Sequence, residues 1–340
     1  MIFSDFRDED RRAIFNEAER KKHIVASAIE KDWWVTIVLR ALFSSEYASH
    51  MVFKGGTSLS KGWHLIERFS EDIDIAIDRD FLGYGGELSK NQISDRLRRA
   101  SCSFVRENLS KAIEQQLIVF GLPEEAFHVT VYPSSISTVD PEKIYVEYKS
   151  VYKENNGYTP SRVLVEAGAR SLMTPFEILP IESLVGELFS SEKFDDKAFH
   201  IPVTDASRTF LEKAFLLHEE FHKQVMEIRN DRMSRHLYDL EKMMDTEIAQ
   251  RAFRNEAMYI DVVEHRRRFI GLKGFEYDTL YPQFLNFIPP DSVRSTWERD
   301  YRVMRESIIY GDSLNFPMLL ERIGELNRRF RLLDISKSKY

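Results

Sequence analysis

The sequence predicts an α+β fold, with a small mixed sheet and its helices in residues 1–200 and a helical domain in residues 201–340. Three observations carry that expectation. Runs that alternate apolar and polar residues with period two, as half-buried strands do, cluster before residue 170. From Thr209 onward such runs largely disappear, and apolar residues recur at helical spacing. The chain of 340 residues, 43% hydrophobic and 30% charged, is also long enough for two domains, each with its own core.

The first fifty residues read as helices. Within Ile24–Phe43, Trp34, Ile37, Val38 and Leu42 form an apolar face, with Lys31 and Asp32 on the polar side. Met51-Val52-Phe53 is a short strand stopped by Gly55-Gly56, and Thr57 or Ser58 can cap a helix over Leu59–Ile66. Asp72–Asp78 alternates as a strand, and Asp95–Phe120 reads as helix. His128–Tyr132, Ile144–Tyr148 and Arg162–Glu166 are further strands, separated by Pro133, Pro141 and Asn155-Asn156-Gly157. Pro175, Pro180 and Pro202 mark irregular connections. Helices follow over Phe210–Glu227, Arg232–Thr246, Ser292–Tyr310 and Met318–Leu333, with a long ordered loop over Phe269–Pro290.

Composition narrows the function. A formal charge of −7, with the acidic excess in the first 200 residues, is not that of a protein that coats nucleic acid electrostatically. The basic runs Arg229–Arg235 and His265–Arg268 read first as solvated helix faces, with a polyanionic partner as the alternative. No stretch approaches the ~18–20 apolar residues of a membrane span, so no membrane partner is expected. The acidic Met1–Arg12 stretch does not read as a secretory signal. The single cysteine, Cys102, excludes an intrachain disulfide and a cysteine zinc cluster, and a reducing cytoplasm is the expected location.

The chemistry concentrates in Phe53-Lys-Gly-Gly-Thr-Ser-Leu-Ser-Lys61 and Arg68-Phe-Ser-Glu-Asp-Ile-Asp74. Gly55 and Gly56 let the backbone turn tightly and approach a ligand. The helix that follows, with hydroxyls at Thr57 and Ser58, offers donors to a phosphate. Asp72 and Asp74, two apart on a strand, project to one face and can grip a hard cation such as Mg²⁺. Such a pairing can hold an NTP for in-line attack at its α-phosphate. Ser70 is placed either to touch a phosphate or to begin the strand. Glu166, ending its strand, is a candidate third carboxylate, and Glu147 is its rival. Lys213 on an amphipathic helix is by default a surface side chain, and Asp239 can pair with Arg235 four residues earlier.

A rival reading comes from His218-Glu219-Glu220-Phe221-His222. On a helix its two histidines share a face and can bind zinc, with Glu219 as general base and Glu241 or Asp245 as a third ligand. That would make the chain a zinc metalloprotease. A non-catalytic NTP-binding interaction protein is a third possibility.

Lys54–Lys61 followed by Arg68–Asp74 resembles the first motif of the AbiEii/AbiGii-type nucleotidyltransferase toxins. Arg208-Thr-Phe-Leu-Glu-Lys213 resembles that family's second motif, and Arg232-Met-Ser-Arg-His-Leu-Tyr-Asp239-Leu240 its third. Glu30-Lys-Asp-Trp-Trp34 also looks familial. The third motif departs from the family by carrying Arg235-His236 where many members have Lys-Asp. The resemblance implies a polymerase-β-like nucleotidyltransferase domain and Mg²⁺-dependent transfer of a nucleotide from an NTP to an acceptor such as tRNA. It implies the toxin of a bacterial toxin–antitoxin pair of the phage-defence type, with a cognate antitoxin protein. Asp72, Asp74, Glu166, Lys213 and Asp239 would then be catalytic. Gly55, Gly56, Thr57, Ser58, Lys61 and Ser70 would bind the nucleotide.

Overall fold

The computed structural model describes residues 6–132, 141–152, 160–189 and 197–335; Pro133, residues 155–157 and the first residues of the chain lie outside these. The chain divides into two compact units, one of Met1–Trp63 with Phe69–Thr204 and one of His64–Arg68 with Asp205–Tyr340.

In the first unit α1 (Asp8–Lys22) and α2 (Ala26–Ser44) precede β1 (Met51–Lys54), α3 (Gly55–Lys61) and β2 (Asp72–Ile77). A run of α and π turns over residues 92–119 contains α4 (Arg98–Phe104) and α5 (Ser110–Val119). Then come β3 (Phe127–Val131), β4 (Glu142–Tyr148), β5 (Arg162–Gly168), β6 (Phe176–Ile181), α6 (Leu184–Leu188) and β7 (Phe199–Thr204). The strands form one seven-stranded mixed sheet in the order β3-β4-β5-β2-β1-β7-β6. The β2–β5 and β1–β7 pairs are parallel and the others antiparallel.

The α+β class is the one expected, but β6 and β7 replace what the prolines suggested were irregular connections. Pro180 is tolerated because β6 is an edge strand, with no strand among the described residues on its outer side to miss an N–H. Pro202 sits opposite Ile178 in the same terminal pair. The helix after the glycines also differs. It starts at Gly55 itself and ends at Lys61, well short of Ile66.

Alternation sorts the central strands into two faces. Ile73, Ile75 and Ile77 of β2, Val163, Val165 and Ala167 of β5, and Ile144 and Val146 of β4 are all buried. They form the core side with α2, whose Trp34 stacks on Tyr148 of β4 at 4.8 Å. Trp33 and Trp34 are therefore packing residues. Lys31 and Asp32, expected on a solvated face, are buried as well, at 2% and 7% exposure.

The second unit is helical: α7 (Ala206–Phe221), α8 (Arg235–Met243), α9 (Glu247–Arg254), α10 (Glu256–His265), α11 (Asp291–Ser307) and α12 (Phe316–Arg331). The Asp205 side chain caps α7 by accepting from the Ser207 N–H. Phe210 stacks on Phe330, with Phe253 and Phe287 edge-on to the same ring. Phe269–Pro290 is mostly irregular, with a single-turn helix at Tyr277–Leu280. Among the described residues no helix is long and apolar enough to cross a membrane.

Candidate active site

The other face of the sheet carries the chemistry. Strand register aligns Lys54 of β1, Asp74 of β2, Glu166 of β5 and Lys143 of β4 in one row. Paired residues on adjacent strands point the same way and lie roughly 5 Å apart, so two carboxylates stand side by side with a lysine on each flank. Asp72 lies two residues along β2 from Asp74, on the same face and about 6.5–7 Å away at Cα. Both aspartates are half-buried. Lys143 Nζ is 3.0 Å from Glu166 Oε1, and this hydrogen bond raises the lysine's pKa. Glu147 is exposed and pairs in register with Arg162, away from Asp74.

The glycine bend meets this row directly. Gly55 has φ +81°, a conformation open to glycine at little cost, and a β-carbon built on it would collide with the Asp74 carboxylate. Only a bare α-carbon fits against Asp74. The two hydroxyls after the glycines behave differently from the expectation that they face a phosphate. Thr57 is buried and donates to the Asp72 carbonyl, while sharing a 2.8 Å hydrogen bond with the Ser70 hydroxyl. Ser58 is fully buried and donates to the Gly55 carbonyl at 2.8 Å. Lys61, also buried, pairs with Asp32 at 2.6 Å and donates to the Glu182 carbonyl. Thr57, with Ser70, ties the turn to β2, Ser58 closes the turn on itself, and Lys61 ties the end of α3 to α2.

In the second unit Arg68 donates two hydrogen bonds to Asp239, at 2.7 and 2.8 Å, and Lys213 Nζ stands 2.7 Å from the same carboxylate. Asp239 thus pairs with Arg68 and Lys213, not with the helix neighbour Arg235 that sequence spacing suggested. All three are buried, Lys213 included, so the expectation of a surface lysine does not hold. Burial alone would raise the Asp239 carboxyl; the two cations overcome it and hold the group well below the usual carboxylate range. Burial lowers the Lys213 pKa against the pull of Asp239. His236 Nδ1 lies 3.4 Å from Lys213 Nζ, and burial together with that cation keeps the imidazole neutral.

The zinc reading fails on partners. His218 Nδ1 accepts from the Asn286 N–H at 2.8 Å, and Nε2 faces the Thr279 hydroxyl at 3.0 Å, so both ring nitrogens are engaged. Glu219 is bound by Arg266 through both oxygens. Asp245 is paired with Arg322 and Arg329. Within the basic runs Arg229 pairs with Glu220, and Arg267 with Glu264 and Asp278.

Among the described residues no group of three or more His, Cys, Asp and Glu is close enough to hold a metal ion. Asp72 and Asp74 are two hard oxygen donors on one face. Mg²⁺ is commonly held by one or two carboxylates, with substrate phosphates completing its shell. The donor set therefore fits a cation that arrives with a nucleotide. Lys143 is not among the residues the sequence singles out; period two within β4 marks it as facing away from the core, but only the register puts it beside Glu166.

Comparison with known families assigns the class of protein. The family model described as "Nucleotidyl transferase AbiEii toxin, Type IV TA system" matches residues 37–322, and the chain belongs to that family. It is a nucleotidyltransferase toxin of a toxin–antitoxin system, which implies an NTP substrate and a cognate antitoxin. No curated protein sequence matches the chain. Among solved structures it is similar to JHP933 from Helicobacter pylori, with 14% identity, TM-score 0.42, and coverage of 89% of this chain and 92% of the other. It is also similar to MenT4, a nucleotidyltransferase toxin from Mycobacterium tuberculosis, with 16% identity, TM-score 0.44, and coverage of 96% and 99%.

Proposed function

We propose that the chain transfers a nucleotide from an NTP to the 3′ end of an RNA such as tRNA, using Mg²⁺ held by Asp72 and Asp74. The observation that carries this reading is the close seat of Gly55 on Asp74, with Glu166 alongside in register. Main-chain N–H groups of the Gly55-Gly56 bend receive the phosphates. Mg²⁺, when bound, neutralises charge on the triphosphate and on the departing pyrophosphate. Asp72 and Asp74 orient the nucleotide through their oxygens, and a carboxylate of the row, Asp74 or Glu166, takes the proton of the attacking hydroxyl. The new bond joins that oxygen to the α-phosphorus, and the bond from the α-phosphorus to the pyrophosphate oxygen breaks. Lys213 and Asp239 are proposed to serve the same reaction because their motifs resemble the family's. Their support here is that a buried Arg68–Asp239–Lys213 group is costly to keep without a purpose.

Incubating the protein with each α-labelled NTP, Mg²⁺ and total RNA, then sequencing labelled 3′ ends, tests the proposal and names the acceptor. NTP binding without transfer would favour a non-catalytic NTP-binding protein instead.

A further inference from the structure

Glu30, Lys31 and Asp32 are three consecutive charged residues on α2, and all three are buried. Each leaves the helix in a different direction and fastens a different segment of the first unit. Glu30 accepts from the Ser150 hydroxyl at 2.5 Å and the Val151 N–H at 2.8 Å, just after β4. Lys31 Nζ pairs with Glu71 at 2.5 Å, the residue directly before Asp72, and donates to the Pro160 carbonyl at 3.1 Å, two residues before β5. Asp32 pairs with Lys61 at 2.6 Å, the last residue of α3, and accepts from the Leu184 N–H at 2.8 Å.

We infer that Lys31 and Asp32 are positioning residues for nucleotidyl transfer, and the inference rests on the reading of Asp72 and Asp74 proposed above. The segment running from α3 into β2 opens on the glycine bend at Gly55 and closes on the aspartates, with Lys61 ending α3 and Glu71 directly before β2. Asp32 holds it at Lys61 and Lys31 holds it at Glu71. The same Lys31 also holds the approach to β5, which carries Glu166. One turn of one helix therefore sets the relative places of the bend, the aspartate strand and the neighbouring carboxylate strand. The polarity is matched, a cation of α2 on an anion before β2 and an anion of α2 on a cation after the bend. A buried ion pair is a weak device for stability, because its desolvation offsets much of its attraction, yet it fixes geometry closely where both partners are hydrogen-bonded. A shift of about 1 Å in a reacting group can cost on the order of 100-fold in rate.

The test uses the full chain with Lys31→Met, Glu71→Gln, and the two combined. Hydrogen exchange read by mass spectrometry reports the fastening without any need for activity. In Lys31→Met, exchange should rise at least several-fold in residues 70–75 and stay unchanged in β3 and in the second unit. Labelled-NTP transfer to total RNA should show kcat reduced about 10- to 100-fold, with the nucleotide Kd moved less than about 3-fold. The double variant should be no worse than the worse single variant, because both changes remove the same Lys31–Glu71 pair. Exchange that rises uniformly over the chain, or not at all in residues 70–75, overturns the inference. So does an unchanged kcat for correctly folded Lys31→Met protein. If the unaltered chain transfers no nucleotide, the proposed reaction falls while the exchange data still decide whether Lys31 fastens β2.

Discussion

Gly55 lies against the Asp74 carboxylate so closely that a methyl group at residue 55 has no space. The backbone there, at φ +81°, independently disfavours any side chain, by roughly 1–2 kcal/mol for an L-residue. Gly55→Ala should therefore push Asp74 out of its row and abolish most transfer, at least about 100-fold in kcat, while costing the fold only a few kcal/mol. Transfer kinetics beside a thermal unfolding curve separate the two effects. Near-normal turnover in Gly55→Ala would mean that Asp74 does not need its present place.

The carboxylates on the face of the sheet opposite α2 should rank by position. Asp72→Asn and Asp74→Asn are expected to lose transfer by three orders of magnitude or more. Glu166→Gln, next to Asp74 in register, should lose about 10- to 1,000-fold. Glu147→Gln, exposed beside Arg162, should stay within about 2-fold of the unaltered chain. Single-turnover transfer with labelled NTP gives the ranking.

Removing the charge of Asp239 strands two buried cations. Asp239→Asn should destabilise the second unit by about 3–5 kcal/mol, the usual cost of breaking a buried pair from one side. Urea unfolding followed by tryptophan fluorescence reads this through Trp297 in the core of that unit. A change below about 1 kcal/mol would show that Arg68 and Lys213 find other partners.

Stability should fall on acidification from near neutrality. His218 is pushed down to about 3 by burial, with the neighbouring His222 adding to it, and His236 is lowered in the same direction. Between pH 6.5 and about 3 the unfolded chain binds a proton at residue 218 that the folded chain refuses. Stability then rises with pH in that window and is complete above 6.5, with a slope of up to about 1.4 kcal/mol per pH unit for each such histidine. Urea midpoints at pH 7.5, 6.5 and 5.5 measure it. A flat profile would mean that these imidazoles accept protons in the folded state.

How much of this was readable in the sequence depends on whether a feature is local. The Asp72–Ile77 strand, the glycine stop before it and the helical second half follow from period and turn chemistry, which act within a few residues. Long-range pairing is not local. Nothing near Asp239 in the chain announces Arg68, 171 positions away, so the nearby Arg235 was the natural partner to expect. The sequence places Lys31 and Asp32 on the polar side of their helix and Lys61 within a nucleotide-binding motif; their partners come from distant segments that only the fold brings up. Hydroxyls beside glycines commonly donate to a ligand, but here Ser58 satisfies a carbonyl of its own turn and Thr57 a carbonyl of β2. β6 and β7 were hidden by prolines that an edge pair accommodates.

The most direct measurement is transfer of label from α-labelled, but not γ-labelled, NTP to total RNA, with and without Mg²⁺, by the unaltered chain and by Asp74→Asn. The account predicts Mg²⁺-dependent labelling of RNA 3′ ends by the α-label alone, lost in Asp74→Asn protein that still folds. Labelling that persists undiminished in Asp74→Asn, or that comes from the γ-phosphate, would contradict it.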